Sequence, residues 1–107
     1  MSVMEIHFID PSIEKFIRSL EKSAIAKVLR TLDLLERFGY QLGMPHGKKV
    51  ADGLFELRVR GTQDIRFLYT FHGRRIVILH GFVKKSDRIP QREMEMALQK
   101  KKRLDRV

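Results

Sequence analysis

The sequence contains no cysteine among its 107 residues, so neither disulfide bonds nor cysteine-ligated zinc can support the fold. It has no apolar run long enough to cross a membrane, and its first residues, MSVMEIHFIDP, do not join a basic segment to an apolar one. We therefore expect a cytoplasmic protein. The length and a hydrophobic content of 43% predict one folded domain over residues 1–107.

Familiar catalytic motifs are also missing. There is no phosphate-binding loop, no dinucleotide-binding fingerprint and no serine-histidine-aspartate signature, and the 4 histidines are not spaced as metal ligands. We therefore expect no cofactor and no metal ion. Any catalysis would have to come from charged side chains.

Positive charge is concentrated in the second half of the chain. Residues 1–39 carry 6 basic and 6 acidic groups, residues 40–83 carry 7 and 3, and residues 84–107 carry 9 and 4, so the excesses of 0, +4 and +5 add to the net charge of +9. Such a region repels itself, which favours a polyanionic partner. Nucleic acid suits this pattern better than a membrane because no basic amphipathic anchor accompanies the charge. The alternative is a basic face that only keeps the protein soluble.

The first half of the chain reads as a strand followed by two helices. Residues 3–9 are rich in β-branched and aromatic residues and predict a short strand. Asp10 suits a helix N-cap and Pro11 suits the first helical position. Two apolar stripes at helical spacing follow, and the second ends at Gly39, a good residue for a left-handed C-cap. We expect an αα-hairpin and then a connecting loop over residues 40–53.

The second half predicts three strands and a last helix. Residues 54–60 alternate apolar and charged side chains, residues 65–71 continue that alternation after a turn, and residues 74–83 are almost continuously apolar. Pro90 can open a helix. The expected fold class is α+β: a two-layer fold in which the N-terminal strand and the αα-hairpin pack on an antiparallel sheet, with a C-terminal helix and the helices on one side.

One face of this sheet should be charged. Alternation sends Phe55, Leu57 and Val59 to the core and sends charged side chains to the opposite face. The charged set consists of Glu56, Arg58, Arg60 and Arg66, with Lys84 and Lys85 where the third strand ends. Guanidinium groups held on a sheet are oriented to bind phosphate oxygens and could stabilise charge on a scissile phosphate. Taken singly, each residue could equally serve only solubility or an ordinary ion pair.

Lysines outside the sheet extend the basic set. Lys48 and Lys49 lie in the predicted loop, and Lys100, Lys101 and Lys102 end the last helix. These side chains could follow a phosphate backbone. The alternative for the last three is a solvated helix end, where the helix dipole favours positive charge.

Two residues with chemical potential have plainer interpretations. Tyr69 falls in the apolar set of its strand, so we expect a core residue and not a base-stacking platform. His80 lies in an apolar strand, where a hydrogen-bonded core histidine is more common than an acid or base.

The segment GLFELRVRGTQDIRFLYTFHGRRIVILHGFVKKSDRIPQREMEMAL resembles the phage-derived Gp49-like branch of the HigB toxins, within the RelE/ParE toxin superfamily. The matching features are the G-L-x-E-L-R strand, the arginine and aromatic strand after it, and the sequence I-V-x-L-H-G-F-x-K-K followed by a proline and a helix. The resemblance covers about residues 50–100, and the first half agrees only in its strand and helical hairpin.

The resemblance implies a toxin of a type II toxin–antitoxin system that cuts mRNA in the ribosomal A site without a metal ion. It also implies a helix-turn-helix antitoxin that holds the toxin inactive. Arg58 and Arg66 match basic residues on the catalytic strands of the family, Lys84 and Lys85 match its basic strand exit, and Arg60 is a looser match.

The residues that would move protons stay open at this point. Several relatives use a histidine or tyrosine near the C-terminal end, and this chain has neither after His80. Lys84, Glu56 or His80 could serve. The alternative function is a non-catalytic basic module that acts by occupying nucleic acid or a protein, as the gyrase-poisoning toxins of the superfamily do.

Overall fold

A computed structural model describes residues 4–105. Its strands are β1 (Glu5–Phe8), β2 (Gly47–Ala51), β3 (Leu54–Val59), β4 (Ile65–His72) and β5 (Arg75–Val83); its helices are α1 (Pro11–Arg18), α2 (Lys22–Phe38) and α3 (Gln91–Asp105), with a short 3-10 helix at Gly39–Gln41. No helix in this part of the chain is long and apolar enough to cross a membrane. The predicted strand, helical hairpin and C-terminal helix are all present.

The ends of the hairpin follow the sequence signals. Asp10 is extended at the N-cap of α1, its side chain accepts a hydrogen bond from the Ser12 amide at 2.9 Å, and Pro11 occupies the first helical position. At the end of α2, Gly39 has a φ of 51°, a backbone conformation that residues with a Cβ atom rarely adopt. A Cβ there would also lie 2.9 Å from the Met4 sulfur, so the turn out of α2 requires glycine.

The five strands form one mixed sheet in the order β1-β5-β4-β3-β2. Strands β2 to β5 are an antiparallel meander, and β1 adds to the edge of β5 in parallel. The expected loop over residues 40–53 is wrong in its second part, because β2 lies there. The lysines of β2 and its register shift between Lys49 and Ala51 are typical of an edge strand. The sequence of such a strand need not alternate between apolar and polar residues.

The hairpin covers one face of the sheet, which we call the hairpin face. Val28 and Leu35 of α2 and Ile13 of α1 pack there against buried side chains of the sheet, including Leu57 and Phe67. Gly81 marks the closest approach, since a Cβ there would lie 2.6 Å from the Phe16 ring and 2.8 Å from the Phe67 ring. The prediction that this side of β3 faces the core is confirmed.

Helix α3 packs on the opposite face, which we call the α3 face. Ala97 is buried there against Leu68, Val77 and Leu79. The α+β class, the hairpin on the sheet and the C-terminal helix are confirmed, but the expectation that all helices lie on one side is wrong. Strand β5 is apolar on both faces, so it can support a helix on each.

A bulge in β5 determines which of its side chains lie on the α3 face. Leu68 pairs with His80 while Tyr69 pairs with Ile78, so Leu79 is an extra residue. Such a bulge changes the alternation on the strand and re-aims the side chains that follow. Because of it, His80 and Leu79 both lie on the α3 side.

Candidate functional site

A cleft of about 320 Å³ opens on the α3 face where α3 no longer covers the sheet. We call it the polar cleft. Lys48 of β2, Glu56 and Arg58 of β3, and Lys84 after β5 line it, together with Val50, Asp87, Arg88, Ile89 and Met94. Four residues predicted from the sequence are therefore brought together from three parts of the chain.

Glu56 is the centre of the ion pairs in this region. Its side chain is only 2% exposed, and Oε1 accepts from Arg58 Nε at 3.0 Å and from Arg66 Nη1 at 3.4 Å. Arg58 and Arg66 are direct partners across β3 and β4, an arrangement that repels unless a counter-charge lies nearby. Glu56 supplies that counter-charge, so it fixes where both guanidinium groups lie.

Arg58 and Arg66 differ in how many of their guanidinium nitrogens already donate a hydrogen bond. Arg66 is 5% exposed, and Asp64 holds it through Nε and Nη2, both at 3.0 Å, while Nη1 goes to Glu56. All three of its nitrogens are engaged. Arg58 uses only Nε, and within residues 4–105 its terminal nitrogens have no hydrogen-bond partner. Arg58 can therefore offer both terminal nitrogens to an anion, whereas each nitrogen of Arg66 already donates one hydrogen bond.

Glu56 Oε2 is buried and has no hydrogen-bond partner among the described residues. A buried unpartnered carboxylate oxygen is costly, and such groups are found at sites that bind or react. It is shielded from solvent, so the polar contacts of Glu56 among the described side chains are its ion pairs with Arg58 and Arg66.

Lys84 is half-buried at the edge of the polar cleft. Its backbone amide donates to the Asp64 carbonyl at 2.7 Å, which ties the exit of β5 to the start of β4. No ion pair in residues 4–105 involves its ammonium group. Lys84 is thus anchored by its backbone and has a free charge.

His80 is hydrogen-bonded, as expected from the sequence. Its Nε2 lies 3.0 Å from Glu93 Oε1 in the first turn of α3, and its ring stacks on Phe82 with centroids 5.8 Å apart. His80 does not line the polar cleft. Its contact instead joins β5 to the start of α3.

Tyr69 lies in the core, as predicted. It is 1% exposed and packs between Phe55 and Phe71, with ring centroids at 5.5 and 5.7 Å. Burial raises the pKa of Tyr69 to about 12, so its hydroxyl stays protonated.

The remaining predicted RNA-binding residues are distributed over the surface. Lys49 and Lys85 are exposed but outside the polar cleft, Arg60 lines a different pocket beside α2, and Lys101 lies 3.7 Å from Asp105. Lys100 is not on the surface at all. Its ammonium group is buried between α3 and α1, where it donates to Ser12 Oγ at 2.9 Å and pairs with Asp10 Oδ2 at 3.2 Å.

Three residues of the region escaped the sequence interpretation. Asp64 lies in the turn between β3 and β4, and Asp87 and Arg88 belong to the segment between β5 and α3. The sequence offers one signal for the two aspartates. Each lies two to three residues from an arginine or lysine that the sequence analysis assigns to the basic face.

The architecture defines the class of protein. A chain of the solved YoeB-YefM complex from Staphylococcus aureus has the same fold, with a TM-score of 0.55 over 78% of this chain and 97% of that chain, at 22% identity. The α+β arrangement described above is thus shared with a chain of that complex.

The sequence identifies the family. A family model described as "Phage derived protein Gp49-like" matches residues 15–102, and the chain belongs to this family. It is also 41% identical over 73 residues to the protein named "Putative toxin HigB3" of Mycobacterium tuberculosis (strain ATCC 25618 / H37Rv). The match spans 64% of this chain and 63% of that relative. The family resemblance predicted from the sequence is confirmed.

Proposed function

We propose that this protein is the toxin of a type II toxin–antitoxin system and cuts mRNA on the ribosome without a metal ion. The observation that carries the proposal is the polar cleft, where Arg58 and Lys84 have free cationic groups beside the buried pair of Glu56 and Arg66. Support also comes from the Gp49-like family and from the toxin name of the Mycobacterium tuberculosis relative.

In the proposed reaction the ribose 2′-oxygen attacks the adjacent phosphorus and the 5′-oxygen of the next nucleotide leaves. A 2′,3′-cyclic phosphate and a free 5′-hydroxyl result, and the 2′ proton is balanced by the proton gained at the 5′-oxygen. The terminal nitrogens of Arg58 and the ammonium group of Lys84 would neutralise the charge that grows on the phosphate oxygens. Glu56 and Arg66 would position Arg58.

The ribosome would supply what the cleft lacks. A cleft of about 320 Å³ on an open sheet face cannot by itself hold a flexible message in line for attack. An mRNA already held in the A site has lost most of that freedom, and such positioning contributes much of the rate in displacement reactions.

We also propose a helix-turn-helix antitoxin as the partner that keeps the protein inactive in the cytoplasm. The solved chain of the same fold belongs to a complex of YoeB with YefM. A chain with a net charge of +9 is suited to an acidic partner.

A second candidate function is occupancy without cleavage. The observation that favours it is the state of Glu56, whose carboxylate is buried and whose Oε1 pairs with Arg58 and Arg66, while further cations line the polar cleft. Such a site could hold an RNA phosphate without transferring protons.

Induced expression followed by mapping of mRNA 5′ ends separates these functions. Wild type should arrest growth and create new 5′ ends inside translated messages. Lys84→Ala should reduce the cuts by about a hundredfold, the size expected for loss of one charge-stabilising group. Lys22→Ala, which removes an exposed lysine of α2 outside the polar cleft, is the control and should cut like wild type. Growth arrest with unchanged 5′ ends would instead select occupancy.

A further inference from the structure

A second basic pocket lies beside α2, separate from the polar cleft. It has a volume of about 230 Å³ and forms between α2, the end of β3 and the segment that leads into β2. We call it the α2 pocket. Its cations are Lys27, Arg30, Arg58 and Arg60, and its apolar wall includes Leu34 and Pro45.

Three of the four cations of the α2 pocket have no ion pair among the described residues, and Arg58 alone is paired, with Glu56. None of the residues that line it is acidic. Within residues 4–105, no carboxylate forms an ion pair with Lys27, Arg30 or Arg60, and all three side chains are exposed. Three unpaired like charges around one pocket repel each other, so an anion that enters it would be stabilised.

Two of these cations can be placed from their neighbours. The end of the Lys27 side chain lies over the turn after β3, because a Cβ at Gly61 would be 2.9 Å from Lys27 Nζ. This brings the ammonium group of α2 next to Arg60. Arg58 is fixed through Glu56, and its backbone amide donates to the His46 carbonyl at 2.8 Å.

Arg58 connects the α2 pocket with the polar cleft, because it lines both. Arg60 continues the path, since it also lines an open depression with Asp64 and Arg66. The free cations therefore form a track from Lys84 through Arg58 to Lys27 and Arg30.

We propose that the α2 pocket binds a nucleotide of single-stranded RNA next to the one held in the polar cleft. Its cations contact the phosphate, and the base lies against Leu34 and Pro45 with an arginine guanidinium as a stacking surface. The inference rests on the proposed function for the identity of the RNA, but binding can be measured without cleavage.

RNA fits this pocket better than an acidic peptide. An acidic peptide could bind through the exposed cations of α2 alone. The track of cations, however, continues through Arg58 into the polar cleft, where a phosphate is expected. A nucleic-acid backbone presents anions at regular intervals and can occupy both places at once, and the tether between them raises the affinity of the second contact.

The test is the binding of a fluorescent 2′-O-methyl oligouridine of about ten nucleotides, a length within the range that one such site covers. The 2′-O-methyl group prevents attack by the 2′-oxygen, so binding is measured whether or not the protein is a nuclease. Lys27→Glu with Arg30→Glu should weaken binding about tenfold, and the slope of log K against log salt should become shallower by about 0.7 for the one phosphate that the pocket holds.

The matched control is Lys22→Glu with Arg37→Glu, which changes the charge of the same helix equally at exposed positions outside the α2 pocket. It should retain most of the affinity and the wild-type slope. Circular dichroism melting checks that both variants fold, and Lys27→Gln with Arg30→Gln repeats the test without charge reversal.

Equal weakening by the two double variants would overturn the inference, because net charge alone would then explain it. Unchanged RNA affinity in the Lys27 and Arg30 variant would overturn it too. If that variant lost affinity for a hexaglutamate peptide instead, the pocket would be assigned to an acidic protein segment. Tight, pocket-dependent RNA binding by a wild type that cuts no message would sink the proposed nuclease and leave the α2 pocket standing.

Discussion

The hairpin face of the sheet is apolar from β3 to β5, whereas on the α3 face the apolar side chains stop about halfway. Helix α3 covers Leu68, Val77 and Leu79. The part of this face that α3 leaves uncovered carries Glu56, Arg58 and Arg66. Ion pairs in a sheet are a poor source of stability, because desolvation offsets most of their attraction. The ion pairs on the α3 face therefore need another explanation than stability, and binding of an anion, as proposed above, supplies one.

The largest effect should come from the hairpin face. Phe67→Ala removes a ring that is 0% exposed and packs edge to face on Phe16 at 5.8 Å, so it should lower the free energy of unfolding by about 3–5 kcal/mol. Urea unfolding followed by circular dichroism measures the loss. Phe8→Ala, at a ring that is 39% exposed, is the matched control and should cost much less. Equal losses would mean that the hairpin face is not the main core.

A smaller loss is expected on the α3 face. Glu56→Ala would leave Arg66 with Asp64 alone and leave the repulsion between Arg58 and Arg66 uncompensated, which should lower the free energy of unfolding by about 2 kcal/mol, the usual worth of a hydrogen bond to a charged group.

Asp64→Ala is the comparison for Glu56, because it also removes a carboxylate from Arg66 but one that is 46% exposed. Solvent screens that charge, so the same denaturation assay should show a smaller loss for Asp64→Ala. If Glu56→Ala were as stable as wild type, the buried pair would have no structural role and the contrast between the faces would be purely functional.

Local signals predicted much of this fold. Asp10, Pro11 and Gly39 place the ends of the hairpin, and the alternation in β3 assigns Leu57 to the core and Glu56 to the other face. These features depend on residues near in sequence, where capping and periodicity apply.

Tertiary pairing explains what the sequence could not show. Strand β2 exists because β3 offers it an edge, and the extra residue Leu79 that places His80 has no sequence signature. Helix α3 has few apolar positions, so its own sequence does not determine where it packs. It covers the face of the sheet that the hairpin leaves uncovered.

The predicted site was incomplete for the same reason. Arg58 and Lys84 lie together as expected, but the burial of Lys100 depends on Asp10, ninety positions away in the chain, and no pattern within α3 predicts that contact. Lys27 and Arg30 escaped selection because they belong to the electrically neutral first half, and only the fold brings them beside Arg60.

The smallest effect should come from the Asp10 contact, and it should depend on pH. Burial alone raises the pKa of Asp10, but hydrogen bonds from Ser12 and the charge of Lys100 outweigh it and hold the pKa below its ordinary value of 3.8. A carboxyl group with a lowered pKa stabilises the fold above its unfolded value and loses that contribution as the pH falls through the folded value. Asp10→Asn keeps an N-cap acceptor and removes the charge.

We therefore expect Asp10→Asn to be less stable than wild type at neutral pH by about 0.5–1 kcal/mol, the usual worth of a charge at a helix N-terminus. The difference should persist down to about pH 4 and shrink below 3.8 as Asp10 becomes protonated in wild type. Urea unfolding at a series of pH values measures it, with Asp33→Asn, an exposed change on α2, as the control. A difference that stays constant well below pH 3.8 would show that Asp10 acts through its shape, and Lys100 would then lose its assigned role as the partner of a charged group.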